Sequence, residues 1–169
     1  SDAYLTRANL ADANLVGANL SGANLSNANL ADANLTGTNL SGVSLSGASL
    51  ARADLSGASL AGVNLSSTAL SKANLAGANL AGANLSGVSL LGASLARADL
   101  SDAYLTSANL SCISLSGASL ARANLSDADL VDADLSNADL SNTNLRDADL
   151  AGTGLLNRSE EHTSELQSR

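Results

Sequence analysis

The chain has 169 residues, a formal net charge of −8, no Pro, Met, Trp or Phe, and Tyr4 and Tyr104 as its only aromatics. Eight Lys and Arg against 16 Asp and Glu make it a poor partner for nucleic acid or an anionic membrane, and no run of 18 apolar residues supplies a membrane span. A three-dimensional core of this size would normally use aromatics to fill its gaps, so their near absence points to a core built from one stacked residue type.

From Ser1 the sequence is already in register, with Ala3 and Leu5 in place, and leucine then occupies every fifth position through Leu155. On an α-helix, steps of five advance about 500° and spread the leucines over all sides. On a flat strand, odd steps send them to alternate faces. Neither element gains an apolar face, whereas a solenoid of short stacked units does.

Each of the 31 units from Leu5 to Leu155 follows one template. Two places before the leucine stands Ala in 23 units; the others are Thr38, Val43, Val63, Thr68, Val88, Ile113, Thr143 and Thr153, all β-branched. These two positions point the same way, inward, on a short extended segment. The residue between them is Asn, Ser or Asp and points outward, where its side chain can hydrogen-bond the adjacent turn backbone. The two residues after the leucine turn a corner. The second of them is Gly in 13 units and otherwise mostly Asp, Asn or Arg, as a corner needing positive φ would select. Proline would break each inter-coil ladder it met, and there is none.

Along the chain, residues with reactive chemistry are few. The serines sit at repeat positions without a base, and Cys112 stands alone at a corner, so both read as turn residues and no catalytic residue is assigned. The charge is uneven. Residues 1–78 carry four acids and three bases, whereas 79–157 carry nine acids and three bases. Asp127, Asp129, Asp132, Asp134, Asp139, Asp147 and Asp149 accumulate against Arg146. From Arg158 the chain reads RSEEHTSELQS, which resembles a translated sequencing adapter, and 158–169 is set aside as a non-native, disordered tail. The only histidine, His162, falls there with Glu160, Glu161 and Glu165, so that cluster is not read as a metal site; no metal or other cofactor is expected.

The motif A(N/D)LxG, as in Ala18 to Gly22 (ANLSG), resembles the pentapeptide-repeat family over residues 1–157. The resemblance implies an all-β fold, a right-handed quadrilateral β-helix of four pentapeptides and 20 residues per coil. Nearly eight coils at strand spacing would then form a rod roughly 35–40 Å long. SDAYLT recurs at Ser1 and Ser101, a whole number of such coils apart, whereas LARAD recurs at Leu50 and Leu95, which is not. On a coil of 20, Tyr4 and Tyr104 share a face, Asp127 stacks with Asp147 and Asp129 with Asp149, and the acids spread over all four faces. With neither end showing a cap, the solenoid is expected to be truncated and to fray or associate end to end. The function implied is a non-enzymatic, mostly bacterial scaffold binding a protein partner; the acidic charge argues against direct nucleic-acid or membrane contact, and the residues leave the location unknown, with the cytoplasm as the default expectation. The alternative is an acidic mimic of DNA that binds a type II topoisomerase through the aspartates from Asp127 to Asp149.

Overall fold

The computed structural model describes residues 3–154; the tail from Arg158, with His162 and its neighbouring glutamates, lies outside the described residues. The backbone winds as a four-sided coil. Tyr4 forms a parallel β-bridge with Asn24, Asn9 with Asn29, Asn14 with Asn34 and Asn19 with Asn39, a separation of 20 residues that repeats to Asp134 and Gly154. We call the sides containing Tyr4, Asn9, Asn14 and Asn19 the first to fourth faces.

Each side is held by a pair of bonds to its neighbours in the stack. On the first face, the Leu5 N–H donates to the Asn24 C=O at 2.8 Å and the Asn24 N–H to the Ala3 C=O at 2.9 Å. At the corner that follows, the Ala8 N–H donates back to the Leu5 C=O at 3.0 Å, closing a four-residue turn. Arg7, the third residue of that turn, has φ of 59°, and the equivalent residue takes φ between 55° and 70° at every described corner except Ser67. Positive φ at the third residue alone defines a type II turn, which accounts for the glycines there. Nine of the 16 non-glycine residues in this region are Asn or Asp, the side chains that tolerate it best.

The leucine and the small residue before its neighbour point inward, as the alternation requires. From Leu25 to Leu130 each leucine of the five-residue series is at most 1% exposed, and their four columns fill the tube, whereas Leu91, outside the series, is exposed. Burial of one such side chain contributes about 1.5–3 kcal/mol. In the first coil, Leu5, Leu10, Leu15 and Leu20 are half-buried, because no described coil covers them from below. The inward threonines satisfy their hydroxyls internally. Thr38 Oγ1 donates to the Leu15 C=O at 3.0 Å and Thr143 Oγ1 to the Leu120 C=O at 2.8 Å, each reaching into the preceding coil. Among the described residues no buried side-chain polar atom lacks a partner.

The outward position works as its composition suggests for Asn and Asp. Asn39 Oδ1 accepts the Ser41 N–H at 3.0 Å, and Asp99 Oδ1 accepts the Ser101 N–H at 3.0 Å. Two of the serines differ from expectation. Ser44 and Ser59 hydrogen-bond the hydroxyls of Ser26 and Ser41 in the coil before, at 2.8 and 3.3 Å. A serine side chain is one atom shorter than asparagine, which disfavours the same reach to the turn amide.

The Ser114 N–H lacks its bond to the Ala93 C=O while Ser114 keeps its bridge to Ser94, but among the described residues two bridges are lost outright, between Ser44 and Asn64 and between Ala69 and Ser89. The sequence explains both. Val63 stacks on Val43, and Val88 stacks on Thr68, whereas every other β-branched inner residue stacks on alanine, as Ile113 does between Ala93 and Ala133. Two stiff branched side chains cannot interdigitate where the coils are drawn to bridge distance, so the backbones part.

Candidate interaction surface

Outward faces, rather than a cavity, are what this fold offers a ligand. The clefts on the described surface are shallow, and one of them runs beside Val43 to Ser46 and Asn64, Ser66 and Ser67, at one ladder interruption. Among the described residues no group of three or more His, Cys, Asp or Glu is placed to hold a metal ion. No helix is long and apolar enough to cross a membrane. Cys112 is exposed at its corner with φ of 56°, the turn position the sequence assigned it.

The coil register places each of the seven aspartates. Asp129 and Asp149 are bridge partners on the second face, Asp134 lies on the third and Asp139 on the fourth. Asp127 and Asp147 stack at the corner between the first and second faces, and Asp132 occupies the corner between the second and third. Acids therefore stand centrally on the second, third and fourth faces and border the first only at its corner. At this level the first face presents Asn124 and Asn144, joined by an amide bond of 2.9 Å. Six of the acids gather on the second and third faces and the corners that open onto them.

Four of the seven aspartates also serve the backbone. Asp129, Asp134, Asp139 and Asp149 each accept the N–H two residues on, at 2.9–3.0 Å, as the asparagines do elsewhere. The bonds from Ser136, through its side chain and its backbone amide, hold the Asp134 carboxyl below the usual aspartate range. Asp147 pairs with Arg146 at 3.1 Å, both largely exposed. Neighbouring carboxylates about 5 Å apart in water repel by less than about 1 kcal/mol, so the stack is tolerated while it remains solvated.

At two other corners an acid pairs with the base stacked on it. Arg52 makes two bonds to Asp32, and Arg122 two to Asp102, each across one coil. Each guanidinium lowers its partner's carboxyl pKa, chiefly by hydrogen bonding. Spacing of 20 between an acid and a base at the corner position would have revealed both pairs in the sequence. Tyr4 and Tyr104 do share the first face and are exposed, with Tyr104 flanked by Asn84 and Asn124.

Comparison with known proteins agrees with this geometry. The family model described as pentapeptide repeats matches over residues 3–42, 38–75, 73–111, 98–137 and 108–152. No curated protein matches at a significant level. Among solved structures, HetL of Nostoc sp. strain PCC 7120, a pentapeptide repeat protein involved in heterocyst differentiation regulation, is 33% identical with a TM-score of 0.39; the match covers 89% of this chain and 88% of that one. Rfr23 of the cyanobacterium Cyanothece 51142 is 38% identical with a TM-score of 0.49 over 54% of this chain, which spans 58% of Rfr23. Trypsin-treated QnrB1, a plasmid-mediated fluoroquinolone resistance protein, is 20% identical with a TM-score of 0.50, covering 88% of this chain and 84% of its own; at that identity the likeness speaks for the fold. Tandem matches from residue 3 to 152, on a right-handed four-sided β-helix with a leucine at every fifth position, show that this chain belongs to the pentapeptide-repeat family.

Proposed function

We propose that this chain is a non-enzymatic scaffold that binds a protein partner along an outward face. The observation that carries this reading is how the side chains divide. The inner positions are committed to the leucine columns and the corners to type II turns, whereas the outward positions hold side chains as different as Asn, Asp, Ser, Ala and Tyr on one ladder, so the surface varies while the tube persists. A rigid ladder also holds those side chains at fixed spacing, which reduces the ordering entropy a partner must overcome. Affinity capture with the intact chain tests it. Stoichiometric recovery of a protein, lost on substituting outward residues of one face while the urea midpoint stays constant, is the expected result. Recovery unaffected by substitutions on any of the four faces would refute it.

A second reading, an acidic mimic of DNA directed at a type II topoisomerase, is favoured by the stacking of Asp127 with Asp147 and Asp129 with Asp149. Two rows of carboxylates repeating at strand spacing give a local negative stripe. The test is a supercoiling assay with the protein and with the Asp129→Asn, Asp149→Asn variant. Asparagine keeps the bond to the turn amide and removes only the charge, so the variant folds normally. Inhibition by the parent at micromolar concentration that weakens in the variant supports mimicry; no inhibition at that concentration ends it.

A further inference from the structure

The two ladder interruptions are parts of one seam. Asn64 has lost its bridge to Ser44 below but keeps the one to Asn84 above, whereas Ala69 keeps Ser49 below and has lost Ser89 above. Between them the chain passes from being held by the following coil to being held by the preceding one. Ser67 lies midway, and it is the described corner that leaves the left-handed region. Its carbonyl takes the Gly47 N–H at 3.2 Å, where corners elsewhere use the carbonyl of the residue before, as Arg7 does with Ser26. The shallow cleft beside Ser44 and Asn64 opens at the same place.

The seam is one-sided. At the same levels the third and fourth faces keep their bridges, Asp54 to Asn74, Ser59 to Asn79, Asn74 to Ser94 and Asn79 to Asp99. We propose that it is a built-in flexion point. The coils part first at the corner through Gly47, Ser67 and Gly87, and the rod bends about the opposite corner, through Gly57, Gly77 and Arg97. Four amides at the seam, those of Leu45, Asn64, Leu70 and Ser89, lack the ladder bonds that Leu65, Asn84, Leu50 and Ala69 make one coil away on the same faces. Fewer backbone bonds and looser inner packing lower the free energy of local opening there relative to the rest of the tube. Bending would swing the acidic coils beyond the seam relative to the nearly neutral ones before it.

Amide hydrogen exchange by NMR on the full chain, with spin-label distances, tests this. The four seam amides are expected to exchange on the order of tenfold or more faster than their four counterparts. Val63→Ala with Val88→Ala removes both branched stacks and should bring the two sets together. Labels at Ser46→Cys and Ser86→Cys, in a Cys112→Ser background, should give a broader distance distribution than labels at Ser56→Cys and Ala96→Cys across the opposite corner. Equal protection in the parent, or equally narrow distributions at the two corners, would overturn the proposal whether or not the double variant folds. Fast seam exchange persisting in a folded double variant would overturn the stacking cause.

Discussion

Truncating one leucine in the middle of the tube should damage it far more than the same change in the first coil. Leu80 is fully buried, between Leu60 and Leu100 in its column, both also fully buried. Its backbone is fixed by the bond from its N–H to the Asp99 C=O at 2.7 Å and by the Ala83 N–H donating to its carbonyl at 2.9 Å. The coil therefore cannot sink to fill the space left by Leu80→Ala, and the loss belongs in the upper part of the range for such changes, about 3–5 kcal/mol. Leu10 is half-buried with no described coil beneath it, so Leu10→Ala should lose about 1–2 kcal/mol. With a urea slope of about 2 kcal/mol per molar, the midpoint should fall by about 1.5–2.5 M for Leu80→Ala and by less than about 1 M for Leu10→Ala. Urea titrations followed by circular dichroism at constant slope measure both. A Leu80→Ala midpoint no lower than that of Leu10→Ala would refute the view that the leucine columns carry the stability.

Corner chemistry gives a second test. A Cβ built on Gly57 meets nothing within 4 Å, so substitution there isolates the backbone term at φ of +64°. Gly57→Val should destabilise by about 1–2 kcal/mol in thermal unfolding, whereas Gly57→Asn should stay near the parent. Gly47→Ala adds a contact with Asn27 Oδ1 at 2.5 Å and should be worse than Gly57→Ala. The Asp102–Arg122 pair gives a pH prediction. Because Arg122 lowers the Asp102 pKa, the pair's contribution is present above the ordinary aspartate range and is lost as pH falls through the depressed value. Arg122→Gln should raise the Asp102 titration midpoint towards the ordinary one in carboxyl NMR, and the stabilities of variant and parent should converge in acid. An unchanged Asp102 midpoint would contradict the pairing.

The architecture was legible because each repeat position has one dominant demand. Leucine at every fifth residue has no consistent home on a helix or flat strand, and Gly, Asn and Asp at one corner position announce positive φ there. The coil length was not contained in that period; it came with the family resemblance, and the bridges at 20 residues bear it out. Two things needed the register before they could be seen. The seam depends on which branched residue stands above which, so Val43 and Val63 look no different from Ile113 until the coil closes. The acidic surface likewise depends on placing Asp129 over Asp149, which the five-residue period alone does not do. Ser44 and Ser59 differ from the asparagines at the same position, since their hydroxyls bridge coils where asparagine reaches the turn.

Closure of the coil after four units also makes the molecule an indexing device. Removing any one pentapeptide would leave the leucine columns intact yet turn everything downstream by a quarter revolution, carrying Tyr104 from the first face to the fourth. The chain already contains such an offset. Its two copies of LARAD, at Leu50 and Leu95, are nine units apart, so Asp54 looks out from the third side and Asp99 from the fourth. Duplication or loss of a single short unit can thus redirect a surface pattern while the interior stays the same.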